Sequence, residues 1–97
     1  KPHPTTQAVL DAVAQYFDLD APALTGKSRA MEIAEARHIS MYLLREDAQQ
    51  RVTEIARLLG GRDHSTIIYG LRKIDNALTK DPQFARQIGE IRTLLTT

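Results

Sequence analysis

Residues 52–74 read Val52-Thr53-Glu54-Ile55-Ala56-Arg57-Leu58-Leu59-Gly60-Gly61-Arg62-Asp63-His64-Ser65-Thr66-Ile67-Ile68-Tyr69-Gly70-Leu71-Arg72-Lys73-Ile74. The first eight residues have the apolar spacing of a short amphipathic helix, with Thr53 as its expected cap. Gly60-Gly61 stops that helix, because glycine enters the left-handed region at a helix end without steric cost. Asp63 is positioned to cap a second helix that buries Ile67, Ile68, Leu71, Ile74 and Leu78. Two helices joined by so short a turn form a helix-turn-helix, in which apolar residues set the interhelical angle: Ile55, Leu58 and Leu59 from the first, Ile68, Leu71 and Ile74 from the second. The first turn of the second helix is then expected to project outward with Arg62, Asp63, His64, Ser65 and Thr66. Tyr69, Arg72, Lys73 and Asn76 continue its polar face. All are residue types that hydrogen-bond a base edge or a phosphate, at a helix start whose N–H groups favour anions.

Working outward, a helix begins at Thr5 or Thr6 and places Val9, Leu10, Val13, Tyr16 and Phe17 at helical spacing. Asp20 to Leu24 reads as one capped helical turn. Residues 25–30 form a polar loop exposing Lys27 and Arg29. A long helix from about Met31 to Asp47 turns Ile33, Ala36, Ile39, Ser40, Leu43 and Leu44 inward and leaves Arg37, His38 and Arg45 off that stripe. Asp81-Pro82 opens a last helix to about Leu95. Nothing alternates with period two, so the expected class is all-α. Lys1-Pro2-His3-Pro4 cannot be helical and reads as a linker remnant ahead of a domain at 5–97; the missing initiator Met suggests a piece of something longer.

The 97 residues suffice for one domain, and a hydrophobic share of 42% supports a single core. Without cysteine, disulfides and thiolate metal sites are excluded. No apolar run approaches the roughly 18 residues that span a bilayer, so no membrane role is expected within the chain. The net charge of +1 hides an uneven distribution: residues 27–73 carry nine lysines and arginines against six carboxylates, and a polyanion would dock there. Metal binding by His38 and His64 has no supporting ligand spacing. A relay through Asp63, His64 and Ser65 fails on geometry, since adjacent residues on one helical turn splay apart.

The run Gly60-Gly61-Arg62-Asp63-His64-Ser65-Thr66, continuing to Leu71-Arg72-Lys73-Ile74, resembles the signature of the C-terminal DNA-binding domain (domain IV) of the bacterial replication initiators of the DnaA family. The similarity extends to Lys27-Ser28-Arg29, to Ala36-Arg37-His38-Ile39-Ser40-Met41-Tyr42-Leu43 and to Ile91-Arg92-Thr93-Leu94-Leu95. It implies an all-helical, Trp-repressor-like domain that binds double-stranded DNA at boxes of the TTATCCACA type. It implies base contacts by Asp63, His64 and Ser65 in the major groove and by Arg29 in the minor groove. It implies backbone contacts by Arg62, Thr66, Lys73, Arg37, His38, Arg45 and Lys27. Ser65 stands where Thr is common and lacks the methyl that could meet a thymine. His38 replaces the commoner Gln, and Glu32 and Glu35 lie where the family is often basic. The resemblance further implies a cytoplasmic, nucleoid-associated protein whose ATP and Mg belong to a separate ATPase domain. The fragment itself is expected to be a monomer with no catalytic site and no cofactor. The rival expectations are the same fold serving as a protein-interaction module, or as the DNA-binding domain of a non-initiator such as a transposon-associated protein.

Overall fold

A computed structural model describes residues 3–96, so Lys1, Pro2 and Thr97, at the ends of the expected linker and domain, lie outside it. Among the described residues there are six helices and no strand: α1 (Thr6–Tyr16), α2 (Ala21–Thr25), α3 (Met31–Glu46), α4 (Val52–Leu58), α5 (His64–Lys80) and α6 (Pro82–Leu95). The class is all-α, as the periodicity implied. His3 and Pro4 precede the first helix.

Local chemistry explains most of the boundaries. The Thr5 hydroxyl accepts from the Ala8 N–H at 3.0 Å and starts α1. The Asp81 carboxylate accepts from Gln83 and Phe84 N–H, and Pro82 takes the first position of α6, where its missing donor costs nothing. After α4 the chain closes a Schellman motif: Gly61 N–H donates to Ala56 O at 2.9 Å and Gly60 N–H to Arg57 O at 3.3 Å. Gly60 and Gly61 have φ of +90° and +76°. Gly60 is required twice over, because a Cβ there would also overlap the Thr25 carbonyl oxygen.

Helix α3 is the spine. It touches α1, α2, α4 and α5, while α6 closes the far side against α1 and α5. Its Ile39, Met41, Leu43 and Leu44 are fully buried with Leu24, Ile55, Leu59, Ile67, Ile88 and Ile91. Each such side chain contributes about 1.5–3 kcal/mol relative to exposure. Helix α5 approaches α3 closely at Gly70, where an added Cβ would run into Met41 and His38.

Three expectations need correction. Thr53 does not cap α4; Arg51 occupies the cap position without a side-chain bond and Thr53 lies in the first turn. Ile68 is not part of the buried stripe. It is 40% exposed beside a fully buried Ile67, because one residue turns about 100° around a helix and the inward positions are 67, 70, 71 and 74. Asp63 holds the cap position of α5 with extended backbone, but its carboxylate makes no cap hydrogen bond.

Candidate nucleic-acid interface

The first turn of α5 stands free. Asp63, His64, Ser65 and Thr66 are all exposed, directly after the double-glycine turn. Because the Asp63 carboxylate is not spent on capping, it remains available as an acceptor. By helix geometry the His64 and Ser65 N–H groups have no intrahelical acceptor, while that of Thr66 donates to Asp63 O at 3.1 Å. His64 Nε2 lies 3.5 Å from Thr53 Oγ1, at the outer limit of hydrogen bonding, so α4 steadies the imidazole only weakly.

The same face continues along α5. Tyr69 is 59% exposed, and Arg72, Lys73 and Asn76 are exposed in the turns beyond it. Lys73 Nζ sits 5.8 Å from the centre of the Tyr69 ring, and His38 meets that ring edge-on at 5.9 Å. Exposed Ile68 adds an apolar element that hydrophobic periodicity alone assigned to the core.

The loop between α2 and α3 exposes Lys27, Ser28, Arg29 and Ala30. Two arginines, Arg37 and Arg62, hold its root through bonds inside the protein. Arg37 is only 7% exposed. Its Nε donates to Leu24 O at 2.9 Å, its Nη1 to Ser28 O at 3.1 Å, and its Nη2 to Ala23 O at 3.3 Å and Gly26 O at 3.2 Å. These acceptors include the orphan carbonyls ending α2, so Arg37 acts as an internal clamp on that helix end. Burial, and then the nearby Arg62 charge, push its pKa below the usual arginine value. Arg62 is half-buried, with one amino group donating to Leu59 O and the other to Gly26 O at 2.5 Å.

Two other expected backbone contacts, Arg45 and His38, are also engaged within the protein. Arg45 pairs with Asp75 and Glu46, each at 2.8 Å, and lies 5.5 Å over the Tyr42 ring. Arg92, ion-paired to Asp47 at 2.8 Å, approaches the same ring at 5.7 Å, so Tyr42 is packed by two guanidinium groups. His38 is half-buried, and desolvation, then Lys73 and then Arg37, lower its pKa from 6.5. It is therefore a neutral ring near pH 7 and offers no cationic attraction. The sign of the linkage follows. The unfolded chain binds this proton more readily, so the His38 contribution is complete above about pH 6.5 and is lost as the pH falls below it. Urea midpoints measured between pH 7.5 and 5.5 should fall, and H38Q should flatten that slope; an unchanged slope would exclude His38 as its source.

Glu32 lies in the first turn of α3, which has no capping side chain, and its charge complements the helix dipole there. A groove of about 800 Å³ between the start of α3, α5 and α6 mixes Glu35, Asp81 and Glu90 with Lys73 and Arg86, a poor match to a polyanion. Among the described residues no cluster of three or more His, Asp or Glu could hold a metal, and no helix is long and apolar enough to cross a membrane.

The structure thus brings Asp63, His64, Ser65, Thr66 and Lys73 to one exposed face and holds the Lys27–Arg29 loop to the turn that presents them. Against known proteins, residues 6–74 match the family model described as "Bacterial dnaA protein helix-turn-helix". The chain is 40% identical over 91 residues to the chromosomal replication initiator protein DnaA of Roseiflexus castenholzii, covering 94% of this chain and 19% of that one. The corresponding protein of Lacticaseibacillus casei is 38% identical over 91 residues, covering 94% and 20%. A crystal structure of a DNA replication initiation factor superposes with a TM-score of 0.83 at 25% identity, covering 94% of this chain and 28% of that one. The chain therefore spans about a fifth of the length of these curated relatives. A matching family model over most of the chain, together with a six-helix fold built around the same turn, establishes that the chain belongs to the bacterial DnaA helix-turn-helix family.

Proposed function

We propose that the domain binds double-stranded DNA in a sequence-specific manner at DnaA-box-type sites, as the origin-recognition part of a replication initiator. The observation that carries this reading is the uninterrupted exposure of Asp63 to Thr66 at the uncapped start of α5. In the major groove Asp63 accepts from a cytosine amino group, while His64 and Ser65 meet neighbouring base edges. Arg29 reaches the adjacent minor groove, where a narrow A·T-rich stretch attracts a guanidinium. Thr66 and Lys73 hold phosphates, as do Lys27 and the exposed Arg72. Arg37, Arg62, His38 and Arg45 support this surface from behind. The domain acts as a monomer in the cytoplasm on nucleoid DNA, and ATP and Mg are handled by a separate part of the longer initiator.

Fluorescence anisotropy on a box duplex and a scrambled duplex, at two salt concentrations, tests this. Four cations on the face, Lys27, Arg29, Arg72 and Lys73, give an expected slope of log affinity against log salt of about −3 to −4. That corresponds to roughly a hundredfold loss between about 50 and 200 mM salt. Binding that is flat with salt, or absent on the box duplex, would favour the interaction-module reading, and equal affinity for both duplexes would contradict sequence specificity. The acidic start of α3 gives that module little support, because Glu32 already serves the helix dipole.

A further inference from the structure

The geometry points to Arg62 as a positioning residue, whose guanidinium bridges the helix-turn-helix turn to the root of the Lys27–Arg29 arm and so sets where Arg29 stands relative to the first turn of α5. This rests on the DNA-binding reading above. Arg62 donates both to Leu59 O, at the end of α4, and to Gly26 O, 36 residues earlier in the chain. Gly60 makes a second link independently: the turn packs against the Thr25 carbonyl so closely that no Cβ fits. Arg37 grips the same Gly26 carbonyl from the protein interior. Beyond Gly26 the arm is exposed, with Arg37 donating to Ser28 O and the Ala30 N–H donating to Ser28 Oγ. The arm is therefore rooted at Gly26, which is held from both sides, and is tied once more by Arg37 at Ser28.

Reading two grooves at once requires a fixed separation between the two reading elements. An arm already held at that separation needs less ordering on binding than a loose one. A lysine at position 62 would keep the positive charge but lose the planar fork that reaches two carbonyls. Charge and positioning therefore make opposite predictions for R62K.

The test compares wild type, R62A, R62K, R29A and R29A/R62A. Binding is measured on a box duplex, on the same duplex with its A·T-rich end replaced by G·C, and on one altered in the half read by α5. Nitrogen-15 relaxation of the free proteins reports the order of Lys27, Ser28 and Arg29. Both R62A and R62K should lose discrimination at the A·T-rich end by on the order of tenfold, and should keep it at the other half. R29A/R62A should discriminate no worse than R29A. Arm order parameters should fall from about 0.85 to below about 0.6 in both variants. An R62K that matches wild type, or an R62A that weakens every duplex equally with the arm still ordered, overturns the proposal. If wild type shows no preference among the duplexes, the DNA reading fails, and the relaxation data alone decide whether Arg62 holds the arm. If R62A does not fold, R62K carries both measurements.

Discussion

Arg37→Ala should lower folding stability by about 2–4 kcal/mol, an effect larger than an exposed arginine could produce. Three carbonyl oxygens, of Ala23, Leu24 and Ser28, lose their side-chain donor in this variant, and Gly26 O keeps only that of Arg62. Two of them belong to the last turn of α2, which has only five residues and cannot stand without tertiary support. The guanidinium also fills space at the α2–α3 contact, so alanine leaves a gap as well as unpaired acceptors. Lysine at this position recovers little, because a single ammonium cannot span the four acceptors. The check is the urea midpoint and slope of the isolated chain, with circular dichroism to confirm helix content. A stability loss under about 0.5 kcal/mol, the range of an ordinary surface substitution, would return Arg37 to the DNA backbone role.

His64→Ala should cost about 1–3 kcal/mol on a box duplex and almost nothing on random duplex, so that sequence preference is relaxed. His64 is exposed on the first turn of α5 and its hydrogen-bond approach to Thr53 is long, so folding stability should barely change. Lys73→Ala supplies the contrast. Its ammonium lies two turns further along the same face and offers charge without base-edge geometry, so binding to both duplexes should weaken about equally, with a salt slope shallower by about one. Matching losses on specific and random DNA in both variants would mean that these roles are wrongly divided.

Much of this surface could be read from residue order. The exposed run from Asp63 to Thr66 follows from a double-glycine stop and the inward phase of Ile67, Leu71 and Ile74, all local features. The starts of α1 and α6 were equally local, since Thr5 and Asp81 accept from N–H groups within three residues. The roles of Arg37 and Arg62 were not legible, because their partners lie 9 to 14 and up to 36 residues away and are backbone carbonyls, which no side-chain pattern marks. A charged residue beside an inward stripe looks solvated until the fold brings a helix end to it. The packing of Tyr42 is hidden from residue order for a similar reason: Arg45 is one turn away, but Arg92 arrives from α6. Ile68 misled because hydrophobicity cannot separate two adjacent isoleucines, whereas helical phase can.

Titration of the nitrogen-15-labelled chain with a box duplex, followed amide by amide, tests the outward-facing turn of α5 most directly. We expect the strongest shifts at Asp63 to Thr66 and at Lys27 to Arg29, weaker ones at Tyr69, Arg72 and Lys73, and little change along α1 and α6. Shifts concentrated on α6 and the Glu35–Glu90 groove, with Asp63 to Thr66 unmoved, would contradict the assignment of this face to DNA.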